Sequence, residues 1–440
     1  MKKKKLYYGY IVTLLAAMTQ FGSTGIVNTS SANLINELIN VCGWDATVVS
    51  AANSIRALCC LIMPAVGIAI VKFGPRRLIG FTTIITSAAL IMTAYVQGPL
   101  GFILVYGILV TVTAQFNDQL ACFACVNNWW DKRKGRYSSL VTAAGSAGGV
   151  LFPLITAWLL AKKGWSATLW TQGLLLLFLT GLPQLIFLKD YPEEVGQTIE
   201  EGEASLAKVG ISKGKKKENK DRGRYKSPVS WGAKDALRTL PVWIIFAIWA
   251  LISFTNATVT YFGITKMVLD GMNAAQGTYI MSALNAVTMV SGFFLGKYVD
   301  RFGPKTIFFM IGLSQGIGCI MMNYFQTGGV ALMVAFLILF GMPRVMLNAN
   351  ILVAISSYYG PKNFSTIQSV AFALVSVAAS LASVFNGWML SNYGNLTLAF
   401  WISSLGGFAA AVLALCLKPP KLTEKYRNLI NHQEERGIKI

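Results

Sequence analysis

Charge is scarce in this chain. Of 440 residues, 13% are charged and 54% are hydrophobic, where a soluble protein of this size carries about 25% charged residues. An ordinary soluble fold is excluded on that ground. Histidine is almost missing, with His432 standing alone near the C-terminal end. No His-Glu-x-x-His motif and no clustered carboxylate pair lies in an apolar stretch, so a membrane-embedded hydrolase has no candidate residues. The seven cysteines, Cys42, Cys59, Cys60, Cys122, Cys125, Cys319 and Cys416, follow no metal-ligand spacing and read as small buried apolar groups. A Walker-type nucleotide loop is missing too. The expectation is a protein that is not an enzyme and carries neither cofactor nor metal.

What is present is apolar sequence in long blocks. Leu78–Val96, Gly101–Val112, Leu169–Leu188, Val242–Phe254, Thr306–Met322 and Ala331–Met342 are nearly free of charge. A membrane-crossing helix needs about 20 mainly apolar residues. Twelve spans are expected, at 8–35, 46–71, 78–96, 99–127, 137–161, 166–188, 241–265, 274–298, 305–324, 328–357, 366–391 and 396–417. The lysines at 2–5 ahead of the first apolar run imitate a signal peptide. That run continues too far, carries Gln20 and Asn28 and lacks a cleavage site, so it reads as the first span.

The net charge of +20 is unevenly placed. Lys2–Lys5, Lys72, Arg76, Arg77, Lys132, Arg133, Lys134, Arg136, Arg301, Lys305, Lys362, the lysine-rich segment 208–226 and the tail all fall on one side. The opposite loops hold little beyond Lys162, Lys163 and Lys266. By the positive-inside rule both termini are cytoplasmic. Attraction to a membrane surface accounts for the basic loops without nucleic acid. The expected setting is a multi-pass plasma-membrane protein, in a bacterial inner membrane, acting as a monomer in the lipid bilayer.

The chain repeats itself. "GIAIVKFGPR" starts at Gly67 and "GKYVDRFGPK" at Gly296. An offset of 229 carries Gly67 to Gly296, Gly74 to Gly303 and Trp129-Trp130 to Tyr358-Tyr359. Offsets of 228 and 230 carry Gly43 to Gly271 and Gly164 to Gly394. Spans 1–6 and 7–12 are thus parallel repeats. The domains follow: a bundle at 1–188, a cytoplasmic linker at 189–240, a bundle at 241–417 and a cytoplasmic tail at 418–440. The linker contains "GISKGKKKENKDRGR", which has no apolar period and reads as partly disordered.

Charge inside a bilayer costs about 2.5–3.5 kcal/mol per residue on insertion scales, which makes such residues functional candidates. Three stand out: Arg56 in span 2, Asp118 in span 4 and Arg344 in span 10. The 229 offset pairs Arg344 with Gln115 and Arg56 with Asn285, and Asn348 lies on the same helix face as Arg344. A guanidinium presents a fork of donors suited to a carboxylate. Arg56 and Arg344 are therefore the candidate anion-binding pair; the alternative is internal pairing, as with Asp118. Asp118, beside Gln115, Asn117 and Gln119, is either a proton carrier or a counter-ion. Span 1 offers Gln20, Thr24 and Asn28 on one face; span 7 offers Ser253, Asn256 and Thr260.

The phrase Gly-x-x-x-Asp-Arg-x-Gly, complete at Gly296, Asp300, Arg301 and Gly303, resembles the signature of the major facilitator superfamily. The stretch 129–165, with "WWDKRKGR" and a later "FP" and "GW", together with "DYPEEVG" and "GWDATVVSAANSI", is similar to the monocarboxylate transporter and oxalate:formate antiporter group. One place departs: that group carries Arg four residues before the signature Gly, where this chain has Gly292. The resemblance implies an all-α membrane protein, twelve transmembrane helices in two pseudo-symmetric six-helix bundles. It further implies a cavity lined by spans 1, 4, 7 and 10, and a cytoplasmic latch made by the loop acid. That latch places Asp300 near the start of span 5, around Arg136–Ser139, with Arg301, Arg136, Gly296, Gly303, Gly67 and Gly74 in the gating region. Val71 stands where the other copy would need its acid. The expected activity is alternating-access transport of a small organic acid, by symport or antiport. The alternative is a neutral or amphipathic substrate with structural arginines.

Overall fold

A computed structural model of the chain describes residues 7–30, 34, 59–131, 133–199, 225, 227–420 and 426. No strand occurs among them. Without water to bond to, backbone amides in a bilayer must be satisfied within each segment, and helices do this. The spanning helices are α1 (Gly9–Thr29), α2 (Met63–Phe73), α3 (Pro75–Thr93) and α4 (Leu100–Trp129). The stretch Lys134–Phe187 divides at Gly164, whose backbone lies at φ 76°, into α5 (134–163) and α6 (165–187). The second half continues with α7 (Leu240–Leu269), α8 (Ala274–Phe302), α9 (Pro304–Met322), α10 (Phe325–Tyr359), α11 (Phe364–Tyr393) and α12 (Thr397–Cys416). Nine stretches among the described residues are long and apolar enough to cross a membrane. One of them holds both α5 and α6, and α2 and α3 complete the twelve. Of the expected second span, the described residues begin at Cys59; the expected span start at 46 and its Arg56 lie outside the described residues.

The repeated phrase now has a physical meaning at each position. Gly67 and Gly296 are contact points between the halves. A methyl group on Gly67 would meet Ser369 Cβ at 2.5 Å and the Ser365 carbonyl at 2.6 Å. On Gly296 it would meet Ser139 Cβ at 2.7 Å and Arg136 Cα at 2.9 Å. Small residues let such helices cross closely. Gly74 and Gly303 turn the chain at φ 79° and 78°, a region that side chains avoid. Pro75 and Pro304 then open α3 and α9, where the missing amide costs nothing.

Burial reveals an asymmetric closure. One hydrophobic cluster joins the halves at the end bearing the basic loops, and includes Tyr7, Trp129, Trp130, Val299, Trp231 and Tyr359. At the far end the core splits. One cluster, with Ile26, Phe102, Tyr106 and Leu176, belongs wholly to the first half. Another, with Met267, Leu284, Phe336 and Phe400, belongs wholly to the second. The α8 stripe tells the same story: Gly292 faces Ala143 of α5 closely, with 2.4 Å to an added methyl, while Asn285, two turns away on that stripe, is exposed. Among the described residues, the buried core joins the halves at the basic end and is separate in each half toward the far end.

Candidate functional site

Polar residues of α1 and α4 in the first half, and of α7 and α10 in the second, are the candidates for the site. In the second half the central group is Arg344. It follows Pro343 and a wide π-helical stretch at Leu337–Gly341. Proline removes an amide and pushes against the preceding turn, and the widened turn absorbs the misfit; such turns are frequent at functional sites. The same arrangement precedes Pro183 in α6, with a π-helical stretch at Leu177–Gly181. Partly exposed, Arg344 donates from Nη2 to Thr260 Oγ1 of α7 at 3.2 Å. It makes that one hydrogen bond and no ion pair with any described residue. Four residues on, Asn348 is also partly exposed. Asn256, one turn before Thr260, donates to the Ile252 carbonyl at 3.1 Å, and its Oδ1 has no partner among the described residues.

In the first half, α4 is broken. Its helix runs from Thr111 to Gln115, turns, and resumes at Gln119. Asp118 sits in the break with an extended backbone (φ −92°, ψ −163°). Gln20 of α1 spans to it, donating from Nε2 to Asp118 Oδ1 at 3.0 Å and to Thr24 Oγ1 at 2.8 Å. Asn117 turns the other way, donating to Thr83 at 3.2 Å and Thr86 at 3.4 Å on α3 and accepting from Ser23 at 3.4 Å. Irregular backbone at membrane depth is tolerated where it is buried in protein or lines a cavity. Gln115 is partly exposed beside the break, and Asn28 is exposed toward the far end of α1.

The structure thus joins Gln20, Thr24 and Asp118 in the first half, and Arg344 with Thr260 in the second. Asn285 is on α8, exposed rather than bonded to this group. Thr260 was part of the polar stripe of span 7 without being singled out; its value is set by α10 packing alongside, which no spacing within span 7 reveals.

At the basic end, Asp300 of α8 holds the start of α5. Its Oδ1 accepts the Gly135 amide at 2.9 Å and its Oδ2 the Arg136 amide at 2.8 Å. This is a carboxylate on the free amides of a helix N-terminus, a favourable placement for a negative charge. It lies at Gly135 and Arg136, at the near edge of the expected stretch. Arg301 takes no part: it is exposed, its guanidinium 5.7 Å from the Phe302 ring centre. In the loop after α6, Asp190 accepts the Arg76 amide at 2.7 Å. Burial pushes its carboxyl up, and that amide bond pulls it back.

The end of the linker is docked against the same face. Trp231 is fully buried. Its amide donates to the Tyr359 carbonyl at 2.8 Å, and its carbonyl accepts from Asn363 at 2.8 Å. Tyr426 from the tail lies against its ring at 4.6 Å, accepts the Gly232 amide and donates to Asp235, both at 2.7 Å. Across the halves, Asn127 donates to the Pro361 carbonyl at 3.0 Å; within its own half it accepts from Lys134 at 2.9 Å.

Comparison with known proteins bears on the family and the fold. A family model described as the Major Facilitator Superfamily covers residues 10–382, with a second match over 271–439. The agnestins efflux protein AgnL12 of Paecilomyces divaricatus is 22% identical, over 75% of this chain and 68% of that protein. The MFS transporter asaE of Aspergillus flavus is 23% identical, over 80% and 73%. These relatives are fungal; they support neither the expected bacterial membrane nor the monocarboxylate and oxalate:formate group. The solved proton:xylose symporter XylE, bound to 6-bromo-6-deoxy-D-glucose, superimposes with a TM-score of 0.68 over 94% of this chain and 96% of that one. At 14% identity that likeness speaks for the fold alone.

Proposed function

The chain belongs to the Major Facilitator Superfamily, and from that premise we propose that it carries a small organic anion across the membrane by alternating access. One observation carries this reading: Arg344 lies within a spanning helix, partly exposed, with one hydrogen bond and no ion pair among the described residues. A guanidinium has five donors in a fixed fork, so most of its capacity remains for a ligand. Leaving such a charge unpaired in a membrane is costly, and a bound carboxylate offsets that cost when the site is loaded.

The remaining parts fall into place around it. Asp118 and Gln20 provide the opposite wall, where the carboxylate serves either a coupling proton or an empty-site balance. The basic loops put both termini in the cytoplasm, so the closed end is the cytoplasmic one and the cleft opens outward. The two bundles, 1–188 and 241–417, rock about the site as a monomer in the plasma membrane, with the linker 189–240 between them. Relatives named as efflux proteins favour export, driven by a proton or by exchange.

A second reading, a neutral or amphipathic substrate, is favoured by an open apolar groove on the surface of the second half, lined by Phe254, Leu381, Val384, Phe385, Trp388 and Ile402. Uptake of lactate, succinate, benzoate and salicylate into proteoliposomes separates the two. The anion reading expects uptake of at least one, lost in Arg344→Gln and reduced in Arg56→Gln. No uptake of any of the four, or full uptake with both arginines replaced, overturns it.

A further inference from the structure

We infer that Thr260 is a substrate-contacting residue, its hydroxyl donating to the same anionic group that Arg344 holds. This deepens the anion reading and rests on it. In an apolar helix a threonine hydroxyl ordinarily gives its hydrogen to the carbonyl four residues back. On α7, Thr255 does so to Leu251 at 3.0 Å and Thr258 to Phe254 at 3.2 Å. Thr260 does not: its oxygen accepts Nη2 of Arg344 at 3.2 Å, and its own hydrogen goes to no described residue. The residue is exposed on α7, so that hydrogen is available to the cleft.

The chemistry of the pair favours one kind of ligand. An oxygen that accepts from a cation becomes a stronger donor through its own O–H, because linked hydrogen bonds polarise one another. Arg344 and Thr260 then present donors side by side. A carboxylate matches that set, one oxygen toward each residue. A neutral amide matches it poorly, because its NH2 would face a donor. Thr260 therefore sets discrimination between a carboxylate and its amide, as well as fixing the guanidinium.

The test is uptake of lactate, succinate, benzoate and salicylate into proteoliposomes bearing wild type, Thr260→Val, Thr260→Ser and Arg344→Gln. Valine keeps the shape of threonine and removes the hydroxyl, and melting of each variant without added acid checks folding. We expect Thr260→Val to raise KM for the transported acids about tenfold or more, the loss of one hydrogen bond to a charged group. The maximal rate should change little, as befits lost ground-state binding, and Thr260→Ser should restore wild-type KM. If Thr260→Val matches wild type while Arg344→Gln loses uptake, Thr260 is not a contact and the anion reading stands. Equal losses in Thr260→Val and Thr260→Ser make the residue a packing element, which also overturns the inference. Undiminished uptake in Arg344→Gln overturns the anion reading itself, and this inference with it.

Discussion

Replacing Asp300 with asparagine should loosen the closed end of the protein on one side only. The carboxylate holds two amides of α5, at 2.9 and 2.8 Å. Asparagine retains one acceptor oxygen, presents NH2 where the second stood, and removes the charge from the helix start. A hydrogen bond to a charged group contributes about 1.5–3 kcal/mol. Asp300 is half-buried, so solvent screening argues for the lower part of that range. A loss of about 2 kcal/mol corresponds to roughly thirtyfold in the balance between closed and open forms. Hydrogen exchange followed by mass spectrometry reads this directly, since amides at 134–139 exchange when the closed end opens. The Asp300→Asn variant should exchange there about thirtyfold faster. Val71→Ala, at the equivalent place in the other copy, should leave 363–368 unchanged, because among the described residues no carboxylate holds the start of α11. Equal acceleration in both variants, or none in Asp300→Asn, refutes the one-sided latch.

Two further outcomes follow from contacts at the same end. Gly67→Val and Gly296→Val add carbons where a methyl group already falls within 3 Å of backbone across the interface. Each should wedge the basic end apart and raise the labelling rate of a reporter cysteine placed there; unchanged labelling counts against close crossing at these glycines. Trp231→Ala should cost about 3–5 kcal/mol as a large buried ring is lost and free the linker end, seen as faster protease cleavage near 225–237. Wild-type cleavage rates in that variant would mean the docking of Trp231 on Tyr359 and Tyr426 adds no stability.

Much of the fold was legible in the sequence because the bilayer imposes a length and a composition on each helix. The repeat was equally legible: Gly74 and Gly303 need φ values that only glycine adopts easily, and a turn so constrained is written the same way twice. The contact of Asp300 with the start of α5 was expected from the family resemblance, not from spacing alone. The break in α4 was not legible. The stretch "TAQFNDQLA" holds no proline or glycine; it is Gln20 and Ser23 of α1 and Thr83 and Thr86 of α3 that fix the turn at Asn117 and Asp118. Thr260 stands in the polar stripe of span 7, but its bond to Arg344, 84 residues away, is not readable from spacing within that span. Within the expected linker, Trp231 meets partners from α10 and the tail, a contact that no spacing within the segment indicates; residues 200–224 lie outside the described residues.

The most direct test of the account is titration calorimetry of benzoate and its uncharged counterpart benzamide against purified wild type and Arg344→Gln. The two ligands differ in charge while sharing a ring, so their affinity ratio isolates the contribution of the guanidinium. An unpaired Arg344 that receives the anion predicts that wild type prefers benzoate by about tenfold or more, and that Arg344→Gln removes the preference. A preference of the same size in both proteins would contradict the account.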